Sequence, residues 1–353
     1  MLEMNAEEIE VFEAKENKSL YSFRKYGRLE KVCKLGEGSF GTIILARKKD
    51  PASQGDSKKF AIKINKGFKF FSKKHDQKNG PSDINKEEEK RKELNFVELR
   101  ELCIMRKINH ANVINLLDFN LSRKDGQLCI LMEYIETDLG KFLRENRENP
   151  KVMNENFFKN ISFQILSGLN YLHENNIIHR DIKLENILYD SKTNIAKIGD
   201  FGLSRQLDYD LNAQYTDVGT YPYKPPELLL GLTHYNCSFD IWSAGCVLVE
   251  ICTGVYLFGQ DNSLGVISLM YKIFGSFNDH ILPGFKKFPS SKMLESLPKT
   301  QGIGLVNYIK QNQKFNFVNE DFYNLIEKML CIDPTKRISA KDCLAHNWFL
   351  NKN

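Results

Sequence analysis

The chain has 353 residues, 42% of them hydrophobic and 27% charged, with a net charge of +5. That length accommodates two ordinary domains, and the composition is that of a globular protein, not a disordered or fibrous one. The mild positive balance gives no argument for nucleic acid as a partner, and no apolar run reaches the ~18–20 residues of a membrane span.

Residues 1–28 read as an extension ahead of the core. Its opening, Met1-Leu2-Glu3-Met4-Asn5-Ala6-Glu7-Glu8, is acidic and lacks the basic-then-apolar order of a secretory signal. Eight cysteines occur without a Cys-x-x-Cys pair or histidine partners at zinc spacing, so they read as reduced, mostly buried thiols. The core begins at Leu29-Glu30-Lys31-Val32-Cys33-Lys34-Leu35, an alternating strand pattern. It runs into Gly36-Glu37-Gly38-Ser39-Phe40-Gly41-Thr42-Ile43-Ile44. Three glycines at this spacing let backbone amides cover an anion closely. A dinucleotide-binding turn would open a helix after the third glycine; the β-branched run after Gly41 argues for a second strand.

Lys48 to Lys59 has the Pro, Gly, Ser and Asp content of a hairpin loop. The strand Phe60-Ala61-Ile62-Lys63-Ile64 follows, with one lysine among apolar neighbours. A strand lysine usually faces solvent. About twenty residues after a glycine loop, in an Ala-Ile-Lys triplet, Lys63 reads instead as a phosphate-binding cation that needs a carboxylate on a following helix. Residues 65–94 interrupt the path with lysine-rich stretches around Gly80-Pro81 and read as a charged, solvated insertion; a docking or nuclear-import segment is the sharper alternative. A helix fits Phe96 to Ile108, apolar at helical spacing, with Glu101 as the candidate partner of Lys63 and Glu98, one turn earlier, as the runner-up. Val113–Phe119 and Leu128–Ile135 read as two more strands. Helical patterns resume at Leu139–Arg147 and Phe157–Glu174, so a mainly helical domain begins near 137.

The densest stretch is His179-Arg180-Asp181-Ile182-Lys183-Leu184-Glu185-Asn186, followed by Asp200-Phe201-Gly202. Asn186 and Asp200 supply hard oxygen ligands of the kind that magnesium bridging nucleotide phosphates requires. Asp181 is left to accept a proton from an attacking hydroxyl.

In this order, and joined by Leu99-Arg100-Glu101, Met132-Glu133-Tyr134, Pro226-Glu227-Leu228, Phe239-Asp240-Ile241-Trp242-Ser243 and Asp333-Pro334-Thr335-Lys336-Arg337, the motifs resemble a eukaryotic protein kinase of the CMGC group. The branch they look like is that of the cyclin-dependent kinases, and the likeness covers roughly residues 29–350. It implies an α+β, bilobal kinase fold: a small antiparallel β N-lobe with one key helix over 29–136, and a larger, mainly α C-lobe over 137–350 with an insert at about 255–319. It implies transfer of the ATP γ-phosphoryl group to protein serine or threonine, with ATP and Mg²⁺ as cofactors and a nuclear or cytoplasmic location. A protein substrate is the implied partner and a cyclin or cyclin-like subunit a candidate one; neither membrane nor nucleic acid is expected.

Carried over residue by residue, Asp181 matches the catalytic base, Lys183 the lysine that contacts the transferring phosphate, and Lys63 with Glu101 the phosphate-orienting pair. Asn186 and Asp200 match the magnesium ligands. Gly36, Gly38 and Gly41 match the phosphate-covering loop. Ile43, Ala61 and Leu188 match the adenine sandwich, Leu35 a further ATP-binding position, backbone groups near Glu133 and Ile135 the adenine-edge contacts, and Asp138 a ribose contact. His179 reads as a buried histidine holding the loop, not as a base. Glu227 and Arg337 resemble the buried ion pair of the activation segment, and Asp240 its helical anchor.

Arg100, Arg180 and Arg205 match three arginines that converge on an activation-segment phosphate. Thr216 is the expected phosphosite. Tyr215 holds the position where cyclin-dependent kinases have threonine, and Asp208 or Asp210 is the alternative source of negative charge. Phe40 replaces a phosphorylatable tyrosine of cell-cycle members. Gly219 and Lys224 depart from the proline-directed pattern, because glycine can adopt either backbone state and lysine lacks the planar fork of arginine. Proline direction therefore stays open, as does the role of Phe96 and Leu99, which either meet a cyclin or pack on the N-lobe. The rival readings are a single-subunit activating kinase, a MAP-kinase-like enzyme and, from another class, a silent scaffold binding cyclin-like partners.

Overall fold

The computed structural model describes residues 20–38, 41–48, 58–65, 97–121, 127–207, 218–233, 236–295, 298–315 and 318–350. The expectations for residues 1–19, Ser39, Phe40, residues 66–94, Phe96, Asp208, Asp210, Tyr215 and Thr216 lie outside the described residues. The chain divides into two compact units, one reaching Asn109 and including Ile114–Ile135, the other formed by His110–Val113 and the chain from Glu136 onward.

The first unit is a six-stranded antiparallel sheet in the order β1-β2-β3-β4-β6-β5. Its strands are β1 (Leu20–Phe23), β2 (Gly27–Gly38), β3 (Gly41–Lys48), β4 (Lys59–Asn65), β5 (Leu116–Leu121) and β6 (Leu128–Glu133). The sheet starts earlier than the sequence pattern suggests. Leu20 to Phe23 pair with Glu30 to Gly27, so residues 20–28 are sheet and not extension. The hairpin is hidden in sequence because its strand is only four residues long and its turn, Arg24-Lys25-Tyr26, is charged; Gly27 closes it at φ 70°.

Strand alternation sorts the side chains of β4. Phe60 and Ile62 join Ile44, Ala46, Phe23, Leu29, Cys129 and Leu131 in one core cluster. Ala61 and Lys63 point to the other face, with Leu45 and Ile43 as their cross-strand partners on β3. Helix α1 spans residues 97–105, shorter than the 96–108 that periodicity suggests among described positions. Bonds from Arg106 N–H to Leu102 O and from Lys107 N–H to Ile104 O close it.

In the second unit, β7 (Thr137–Asp138), α2 (Leu139–Asn146) and α3 (Glu155–Glu174) come first. Asp138 caps α2 through Lys141 N–H, and Asn154 caps α3 through Phe157 N–H. Cap and polar first turn put the start of α3 two residues ahead of its apolar pattern. Val113, expected to open a strand, instead makes a parallel bridge to Ile198, because Ile198 N–H bonds Asn112 O and holds that segment to this unit. Strands β8 (Ile177–Ile178) and β11 (Arg205–Gln206) pair, as do β9 (Ile187–Asp190) and β10 (Ile195–Ile198), with β7 on the far side of β9.

After α4 (Pro226–Leu229), helix α5 (Ser238–Thr253) is apolar nearly all round, the mark of a helix surrounded by others. It packs against α3, α8 (Leu305–Asn312) and α9 (Glu320–Met329). Residues 255–319 also hold α6 (Ser263–Phe274) and α7 (Ser291–Glu295). Helices α10 (Ala340–Leu344) and α11 (Asn347–Leu350) end the described chain, Trp348 packing edge-on against Phe158 and tilted against Phe322. Among the described residues, no helix is long and apolar enough to cross a membrane.

Candidate active-site residues

The chemistry-bearing residues form one cluster in each unit. In the first unit the Ile43↔Lys63 register puts Lys63 on the face of Ile43 and Ala61, away from the Phe60–Ile62 core. Its Nζ lies 2.5 Å from Glu101 Oε1 on α1, and both side chains are almost fully buried. The carboxyl of Glu98, also buried, is pushed up to about 7 by burial and by the Glu101 charge, with Lys63 opposing.

The glycine positions differ among themselves. A Cβ at Gly41 would come 2.3 Å from Ile64 O, so the β3–β4 crossing admits only glycine there. At Gly36 and Gly38 a Cβ would meet nothing within 4 Å, which leaves that backbone open to an approaching group. Leu35 falls in the register break between Lys34 and Gly36, and its side chain is exposed. Glu133 ends β6 with its carboxylate accepting from Asn115 N–H at 3.0 Å; Ile135 is half-buried.

In the second unit the β9–β10 register, Ile187↔Ile198, makes neighbours of Asn186 and Gly199, whose N–H bonds Asn186 O at 2.8 Å. The two oxygen donors, Asn186 and Asp200, thus flank the same strand pair. Asn186 Nδ2 donates to Asp181 O at 2.7 Å and to Asp181 Oδ2 at 2.9 Å. Its amide nitrogen is spent on Asp181, leaving Oδ1 as the oxygen donor. Asp200 is exposed and sits at φ 57°. Among the described residues no group of three or more His, Cys, Asp or Glu side chains could hold a metal ion. Two hard oxygens completed by phosphate and water are what magnesium uses, so this donor set fits it.

Asp181 is held from both sides. Lys183 Nζ donates to its Oδ2 at 2.7 Å, and Thr220 Oγ1 donates to its Oδ1 at 2.7 Å while accepting from Lys183 at 3.0 Å. Sequence alone assigns Thr220 no role, because nothing local marks a contact with Asp181, 39 residues earlier. His179 accepts Asp181 N–H at Nδ1 (3.3 Å), which leaves Nε2–H to donate to Gly199 O at 2.8 Å. Both ring nitrogens are committed to the backbone, a loop-holding role. Leu188 on β9 is half-buried, and Asp138 spends Oδ1 on capping α2.

One fully buried carboxylate carries the loop. Asp240, in the first turn of α5, accepts N–H bonds from His179 and Arg180, each at 2.8 Å, and faces His173 Nε2 at 3.0 Å. Burial alone would raise its pKa; the His173 bond, the charges of His173 and His179 and the His179 N–H outweigh that and hold it below the usual range. These bonds offset the strain of Arg180 at φ 69°, a cost of about 1–3 kcal/mol. Arg180 Nε donates to Leu203 O at 2.6 Å, and Arg205 is buried on β11. Arg100 is half-buried on α1 in the first unit.

Gly219 takes φ 77°, and a Cβ there would lie 2.8 Å from Arg180 O. Lys224 is buried, its ammonium 4.0 Å from the centre of the Tyr221 ring. Arg337 meets Glu227 in a two-bond fork, Nη1 to Oε1 at 2.9 Å and Nη2 to Oε2 at 3.0 Å. Tyr223 OH donates to Glu250 Oε2 at 2.6 Å. Burial raises Glu250 to about 7; the Tyr223 bond lowers it, Glu185 adds to the rise and Arg144 opposes it.

The protein kinase domain family matches residues 29–349. Cyclin-dependent kinase B2-1 of Oryza sativa subsp. japonica is 31% identical, over 92% of this chain and 90% of its own length. Cyclin-dependent kinase 1 of Encephalitozoon cuniculi is 29% identical, over 91% and 96%, and cyclin-dependent kinase B2-2 of Arabidopsis thaliana is 29% identical, over 91% and 92%. Proteins of this family use ATP and a divalent metal ion and act on protein substrates. The chain belongs to the protein kinase family and, within it, to the cyclin-dependent-kinase-like serine/threonine kinases.

Proposed function

We propose that Asp181 orients a protein serine or threonine hydroxyl and accepts its proton, while Lys183 neutralises charge on the phosphoryl group being transferred. The observation that carries this reading is the closed set of Asp181, Lys183, Thr220 and Asn186, in which every contact to the carboxylate comes from a donor. The Thr220 hydroxyl on Asp181 Oδ1 illustrates the bond that a substrate hydroxyl would make there. Lys63, oriented by Glu101, receives ATP phosphates, and the backbone at Gly36 and Gly38 covers them. Asn186 and Asp200 would hold Mg²⁺, which when bound neutralises phosphate charge. Ile43 and Ala61 of the first unit and Leu188 of the second are assigned to adenine, and Leu35 to ATP.

A cyclin-like subunit belongs to the same proposal, supported by the names of the relatives and by Leu99, half-buried on α1. With it goes a role in cell-cycle or transcription control. A preference for proline after the phosphoacceptor is supported by Gly219, whose positive φ is the strained state that proline-directed members use. The single-subunit, proline-indifferent reading is favoured instead by Lys224, whose ammonium sits over Tyr221.

Radiolabelled phosphate transfer tests both readings, with the purified chain alone and with added cyclin, on peptide pairs differing only in proline after the serine or threonine. Proline-dependent transfer that requires cyclin supports the first reading, and transfer by the chain alone, indifferent to proline, supports the second. Undiminished transfer by Asp200→Ala would overturn the assignment of the metal ligands.

A further inference from the structure

Glu98 and Glu101 lie one helical turn apart on α1, the spacing at which side chains share a face. Glu98 is 6% exposed, Glu101 2% and Lys63 5%, so all three ionisable groups are buried. Glu101 Oε1 takes Lys63 at 2.5 Å, whereas Glu98 Oε2 is buried with no hydrogen-bond partner. A carboxylate removed from water without donors is strongly disfavoured and neutralises instead. The charged groups acting on Glu98 are Glu101 from its own helix and Lys63 from β4; the first favours a proton on it and the second opposes one.

We propose that Glu98 is a proton-carrying positioning residue: buried on the helix that presents Glu101 to Lys63, it exchanges a proton with solvent, leaves the ammonium to Glu101 and to nucleotide phosphate, and becomes more fully protonated when the phosphates arrive. The inference rests on the reading of Lys63 as a phosphate ligand. Arriving phosphates add negative charge and claim part of the Lys63 field. The anionic fraction of Glu98 then loses its one source of stabilisation and forms an O–H bond with a proton from solvent, no covalent bond in the protein being broken. A carboxyl already raised to about 7 titrates where such a shift is measurable. Acidification within the working range of the enzyme thus favours nucleotide on this side of the site, and alkali disfavours it.

The test is calorimetric titration of the full chain with Mg-ADP at pH 8, in two buffers of different ionisation heat. Mg-ADP carries no titrating phosphate at that pH, so any proton uptake belongs to the protein. A one-unit rise at Glu98 gives uptake of about 0.4 proton per ADP. It also gives a fall in ADP affinity of up to about tenfold between pH 6 and 9. Glu98→Gln keeps the shape of the neutral acid, and it is expected to abolish the uptake and flatten the fall. Lys63→Met should weaken ADP at every pH. If Lys63→Met leaves ADP binding unchanged, the phosphate-ligand reading fails and this inference goes with it. If Lys63→Met weakens binding but the uptake is zero in the unsubstituted chain, or unchanged in Glu98→Gln, the inference alone is overturned. Zero uptake in the unsubstituted chain overturns the inference even if Glu98→Gln fails to fold.

Discussion

Two helices, one in each unit, bury a carboxylate, and they treat it in opposite ways. Around Asp240 on α5 the loop supplies two backbone N–H groups and an imidazole, so the charge stays and the pKa falls. Around Glu98 on α1 no donor among the described residues reaches Oε2, the Lys63 ammonium is bonded to Glu101, and the pKa climbs to about 7. Burial is common to both, and the supply of donors decides the outcome. The first arrangement fixes a geometry; the second leaves a group that responds to protons.

The largest effect is expected where the fixed geometry delivers its product. Asp181→Asn should lower kcat by about 10²- to 10⁴-fold with the fold retained, read by steady-state phosphoryl transfer alongside circular dichroism. Asp240→Asn should cost about 3–5 kcal/mol in urea denaturation near neutral pH, because a charge that two N–H groups and His173 were arranged to meet is removed. The folded pKa of Asp240 lies below its unfolded value. Its contribution is therefore fully present above about pH 4 and is lost as pH falls through the folded value, so the gap between the two proteins should close in acid.

Glu98→Gln should act with the opposite sign. A carboxyl whose folded pKa is raised binds more protons folded than unfolded between about pH 4 and 7, so it weakens the native state as pH rises through that window. The substitution should stabilise by on the order of 1–3 kcal/mol at pH 8 and by nothing below about pH 4, measured as denaturation midpoints across pH. Equal pH slopes for the Asp240 and Glu98 variants would erase the distinction drawn between the two helices. The smallest effect is Tyr223→Phe, about 1–2 kcal/mol, with the Glu250 titration followed by NMR moving upward as its one donor is lost.

The catalytic loop and the strands carrying Gly36 and Lys63 were legible in sequence because their signals are local: glycine spacing, alternation, and acids and amides a few residues apart. What escaped depends on partners far along the chain. The β1 hairpin is too short to show a period, and it is recognised only by its register with β2. Thr220 matters because Gly219, at a φ open to glycine, brings it against a loop nearly forty residues earlier, which no local pattern encodes. Glu101 and Glu98 were both admissible as partners of Lys63 on helical spacing. Only the packing of α1 separates them, giving one the ammonium and leaving Oε2 of the other without a hydrogen-bond donor among the described residues.

The reach of Asp240 has a consequence for how the chain is made. His179 and Arg180 find their acceptor 61 and 60 residues downstream, and Glu227 finds Arg337 110 residues downstream of itself. At a synthesis rate of about 5–20 residues per second, the loop emerges several seconds before the carboxylate that shapes it. The first unit, whose last strand ends at Glu133, is complete by then. On the ribosome the chain therefore passes through an interval in which the half that holds Lys63 can fold while the half that holds Asp181 cannot yet close, a nascent kinase silent by order of arrival.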